Sequence, residues 1–81
     1  MMNRNELEAL AYDEAMRLKE EYFDHYHPYT CWMEIPAEVS YVDEDAFCVL
    51  VQEELERMGE KITRDGIYFK IDKFQRVRHK A

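Results

Sequence analysis

The sequence predicts a small α+β domain: two long helices on a short antiparallel sheet that includes a C-terminal β-hairpin. Three observations predict it. Two stretches, 3–25 and 43–58, carry apolar residues at helical spacing. Two others, 30–35 and 61–71, alternate and are rich in β-branched and aromatic residues. The 81 residues contain only two glycines and two prolines, which leaves little chain for long loops. That length is one domain's worth, residues 1–81, with a basic tail over 72–81.

The first helix opens with Asn3 as cap and Glu6 three residues on as the returning half of a capping box. Met2 and Leu7 stand where a hydrophobic staple falls, and Asn5 with Glu8 offers the same frame two residues later. Pro28 limits the helix to about Tyr22–His25, because the residue before a proline avoids helical geometry. At about 100° per residue, Leu7, Leu10, Ala11, Ala15, Leu18 and Tyr22 form one stripe. Tyr12, Met16 and Phe23 form a second ridge beside it. So wide an apolar arc is covered on two sides, by the domain and by something else. The something else is a partner, a second copy, or the basic C-terminal tail.

Thr30–Ile35 reads as a short strand with Cys31, Met33 and Ile35 on one face and Trp32 on the other. Pro28 and Pro36 keep it short and suit an edge. Pro36–Ser40 reads either as one helical turn or as linker. With the turn, the element order is that of a winged helix; without it, the fold is a plain two-helix, one-sheet domain. The second helix begins at the Asp43 cap, with Val42 and Phe47 at staple positions and Glu44 and Asp45 in the first turn. Phe47, Leu50, Val51, Leu55 and Met58 form its inner stripe, and Gly59 ends it. Arg64-Asp65-Gly66 then joins Lys61–Thr63 to Ile67–Ile71 as a hairpin. Asp72 with Gln75 mimics a capping box and predicts a short tail helix, with Phe74 and Val77 packed on the core.

Charge is the most informative global feature. Residues 1–60 hold sixteen acids against four bases, a balance of −12; residues 61–81 hold seven bases against two acids, a balance of +5. An acidic field of this kind steers basic partners toward the chain. The residues at 1–8 lack a basic segment followed by an apolar core, so no signal peptide is expected, and two cysteines are too few for a disulfide framework. A cytoplasmic protein with reduced thiols is the expectation.

Enzyme chemistry finds little to stand on. His25, His27, Cys31, Cys48 and His79 lack the paired spacing of a structural zinc site. Cys48 lies beside an apolar stripe and reads as a packed thiol, Ser40 has no motif around it, and both glycines are used in turns, leaving no phosphate loop. No cofactor and no metal are therefore expected. The leading expectation is a non-enzymatic binding or regulatory protein. Its partner would be a protein or another copy, met through Tyr12, Met16, Phe23 and Trp32. Small acidic chains of this style are common among phage and mobile-element accessory proteins, an association of composition only. The alternative is a winged-helix-like nucleic-acid binder using Lys70, Lys73, Arg76 and Arg78 on phosphates. Against it, the start of the second helix, which would enter the groove, reads Asp43-Glu44-Asp45.

Overall fold

The computed structural model describes residues 2–23, 32–59 and 75–79. In chain order these form helix α1 (Arg4–Leu18), strand β1 (Trp32–Ile35), helix α2 (Glu44–Arg57) and strand β2 (Gln75–Arg78). A π-helical stretch, Lys19–Phe23, prolongs α1, and a 3₁₀ turn, Tyr41–Asp43, leads into α2. The class is α+β, with two long helices and a two-stranded sheet among the described residues.

The sheet is parallel, which corrects the expected antiparallel one. Met33 lies opposite Arg76 and Ile35 opposite Arg78. The reason is connectivity. β2 comes from the tail, and α2 is the crossover between the strands, as a parallel pair requires. The expected tail helix is likewise replaced by β2. The Asp72–Gln75 capping pattern is outweighed by the alternation Gln75-Arg76-Val77-Arg78, which sends both arginines to the acids at the start of α2. Val77 stays exposed rather than joining the core. The expected hairpin over 61–71 lies outside the described residues.

At the start of α1 the Asn3 frame prevails over the Asn5 frame. Glu6 N–H donates to Asn3 Oδ1 at 2.9 Å and Asn3 N–H donates to Glu6 Oε1 at 3.2 Å. Met2 packs on the core cluster that contains Leu7, as the staple expects. The inner stripe buries Leu7, Ala11, Ala15 and Leu18, with Leu10 partly covered. In β1, Met33 and Ile35 point inward and Trp32 outward.

Residues 36–40 form a turn closed by Val39 N–H on the Pro36 carbonyl at 3.0 Å, and Val39 is fully buried beneath it. That turn is not a helix, and the sheet is parallel, so the described residues do not have the element order of a winged helix. Asp43 does not cap α2 with its side chain. The helical path starts one 3₁₀ turn earlier, so the task falls to Ser40, whose Oγ accepts from Asp43 N–H at 3.3 Å. The Val42–Phe47 staple fails for the same reason: Val42 is carried out into water while Phe47 is buried. Phe47, Leu50, Val51 and Leu55 close the core from α2, and Met58 packs against it. Gly59 ends the helix with φ +93°, a conformation that favours glycine.

Candidate functional site

Two side-chain clusters fix the sheet to the helices. The first lies at the edge of β1 away from β2. Glu14, in the middle of the buried stripe of α1, is only 7 % exposed. It accepts from Arg17 Nε at 2.8 Å and Arg17 Nη2 at 2.6 Å, and from the backbone N–H of Glu34 at 2.7 Å. Arg17 also donates to the Trp32 carbonyl at 2.7 Å and pairs with Glu21 and Glu34. The hydrogen bond to Glu14, reinforced by the surrounding carboxylates, holds the guanidinium well above its ordinary pKa against the effect of burial. The sequence signal was present: a carboxylate between Ala11 and Leu18 on the apolar face, with an arginine three residues on.

The second cluster ties β2 to α2. Arg76 donates to Asp45 Oδ1 at 2.9 Å and Glu44 Oε2 at 3.3 Å. Arg78 donates to Glu44 Oε1 at 3.0 Å and the Val39 carbonyl at 2.7 Å, and lies over the Tyr41 ring, 4.0 Å from its centroid. Both arginines expected to meet phosphate are thus engaged with carboxylates of their own chain. Lys70 and Lys73 lie outside the described residues.

The residues expected to meet a protein are not gathered in one place. Tyr12 is 48 % exposed and Met16 half-buried; Trp32 is 52 % exposed on the outer face of β1. Tyr12 and Met16 stand two residues either side of Glu14, about 160° around the helix from the direction of β1 at 100° per residue. Phe23 ends the π-helical stretch, and its side chain is outside the described residues. A third apolar strip was missed: Val42, 84 % exposed, with Ala46 and Val49, 41 % exposed, on the outer side of α2. Its signal was the spacing i, i+4, i+7, hidden because Val42 was read as a staple.

Reactive groups are scarce among the described residues. Cys48 is fully buried, and desolvation raises its thiol from 9.0 to about 11, so it is protonated at neutral pH and shielded from substrates. No three His, Cys, Asp or Glu side chains among the described residues are placed to hold a metal ion; His25, His27 and Cys31 lie outside them. No helix among the described residues is long and apolar enough to cross a membrane.

The described residues thus define a small α+β protein that presents surfaces. Comparisons with protein-family models, with curated proteins and with solved structures find no match.

Proposed function

We propose that this chain is a non-enzymatic binding protein that acts by docking on another protein. One observation carries the reading. The core closes on residues from α1, β1, the 36–40 turn and α2, yet Tyr12, Val42 and Val49 are exposed, as are Trp32 in part and Tyr41 on the side away from Arg78. Scattered surface apolar residues are ordinary, but exposed Trp and Tyr are the residue types that concentrate energy in interfaces. The acidic field adds steering toward a basic partner. The nucleic-acid alternative loses support from Arg76 and Arg78, whose side chains are held by Glu44 and Asp45.

The test is stoichiometric capture from a lysate of the encoding organism on immobilised chain. Wild type should retain a protein after nuclease treatment. Tyr12→Glu with Met16→Glu, or Trp32→Ala, should lose it while keeping the wild-type circular dichroism spectrum. Retention of nucleic acid that falls steeply with salt would replace this reading with the alternative. Unfolding of the Tyr12/Met16 variant would assign that ridge to the core.

A further inference from the structure

The outer side of α2 is more specific than an exposed apolar face. Val42, Ala46 and Val49 are followed at the next two seam positions by Glu53 and Glu56, so the spacing is four, three, four, three. From Ala46 on, within α2, that is the heptad spacing of a helix-packing seam, with Val42 standing one turn ahead in the 3₁₀ turn. Its first half is small and apolar, which permits close approach of another helix axis. Its second half is acidic and opens into a shallow hollow lined by Glu53, Glu56 and Arg57. Asp43 and Asp45 flank the apolar half. Residues 41–57 hold six carboxylates against Arg57; among the described residues, Arg76 and Arg78 docked from β2 leave three more acids than bases there. Arg57 itself is paired with Glu54.

We infer that this strip is the docking seam for a cationic amphipathic helix of a partner protein. The apolar residues of that helix would lie on Val42, Ala46 and Val49, and its Lys or Arg residues would reach Glu53 and Glu56. The inference rests on the protein-binding reading above and adds the place and chemistry of the contact. Charge selects this occupant over a second copy. An isologous pair would bring the set Asp43, Asp45, Glu53 and Glu56 of one copy against the same set of acids on the other, and like charges across an interface are strongly disfavoured.

The probe is a capped helical peptide of Ala, Leu and Lys, with Leu on one seam for two turns and Lys on the same seam for the next two. Its twin carries Glu for Lys. Titrated into isotopically labelled full-length chain, the Lys peptide should shift the amide resonances of Val42, Ala46, Val49 and Glu53, and the Glu peptide should shift none. Val42→Ser with Val49→Ser should weaken the Lys peptide about tenfold. Glu53→Lys with Glu56→Lys, exposed positions that the fold does not use, should reverse the preference so that the Glu peptide binds instead. Such a reversal separates the seam from general attraction to an acidic chain; Glu8→Gln with Asp13→Asn on α1 should leave the Lys peptide's affinity within about twofold.

Shifts centred on Tyr12 and Met16 would overturn the seam while leaving the protein-binding reading in place. Absence of binding by either peptide would overturn it too, with the capture experiment deciding the broader reading separately. A wild-type dimer by light scattering, dissociated by Val49→Glu, would give the strip to a second copy and refute the inference.

Discussion

Replacing Glu14 with alanine removes the centre of the clasp under β1. The carboxylate loses two hydrogen bonds from Arg17 and one from the Glu34 amide. A hydrogen bond to a charged group contributes about 1.5–3 kcal/mol. The Arg17 share must be discounted, because that side chain is 30 % exposed and retains Glu21, Glu34 and the Trp32 carbonyl. The Glu34 amide, part-buried, has no such substitute among the described contacts, and a donor left unsatisfied costs about 1–3 kcal/mol when buried, the lower part of that range applying here. Together the variant should lose about 2–3 kcal/mol, a large part of the roughly 5 kcal/mol at the low end for domains of this kind. Glu14→Gln keeps the volume and one acceptor and should lose about 1 kcal/mol. Urea unfolding followed by Trp32 fluorescence and far-ultraviolet circular dichroism measures both. At about 1 kcal/mol per M urea, the midpoint should fall by about 2–3 M for alanine and about 1 M for glutamine. An alanine midpoint within about 0.5 M of wild type would refute the clasp as a stabilising element.

Other perturbations test the remaining contacts. Arg78→Ala should cost about 1.5–3 kcal/mol, and Arg78→Lys should recover less than half, because an ammonium cannot serve Glu44, the Val39 carbonyl and the Tyr41 ring together; thermal melts would show the order. Cys48 should resist thiol reagents in the folded chain, reacting no faster than the chain opens. Its folded pKa, near 11, lies above its ordinary 9.0, so its contribution to stability is complete below about pH 9 and is lost as the pH rises toward 11. Cys48→Ala should flatten that part of the stability–pH curve, and an unchanged curve would count against the burial effect. Gly59→Ala should cost about 1 kcal/mol by strain alone, since a Cβ there meets nothing within 4 Å. A wild-type melting temperature in that variant would show that the helix end can move.

The helices were legible because their signals are local. The Asn3–Glu6 capping box, the Leu7–Ala11–Ala15–Leu18 stripe and the Gly59 stop each depend on residues within one or two turns, and each forms as the spacing implies. The sheet was not legible in the same way. Whether Gln75–Arg78 becomes helix or strand is decided by Glu44 and Asp45, about thirty residues away, and no local pattern contains that distance. The start of α2 failed through a small shift of frame: one added 3₁₀ turn moved the cap from Asp43 to Ser40 and turned Val42 from staple to surface. The same shift uncovered the strip on α2. Tyr12 was legible from helical spacing and Trp32 from alternation along its strand, but how far each is exposed follows only from the packing of the elements around them.

The clasp also bears on how this protein can bind at all. In a strand, alternate residues turn their N–H and C=O groups to opposite edges. Ile35 turns its carbonyl to β2, where it accepts from His79 N–H at 2.9 Å. Trp32 and Glu34 therefore turn theirs to the other edge, and there the Trp32 carbonyl and the Glu34 amide are taken by Arg17 and Glu14. These are the groups an added strand would need. Charged side chains thus occupy the place of a neighbouring strand, one of the ways an edge is protected from unwanted pairing. A partner that extended the sheet at β1 would first have to displace a buried carboxylate from its guanidinium and amide partners, a cost comparable to that worked out above for Glu14→Ala. Recognition by strand addition is closed on that edge. On the proposed docking reading, side-chain surfaces would serve in place of that edge, and among these the outer side of α2 joins apolar spacing to acidic charge.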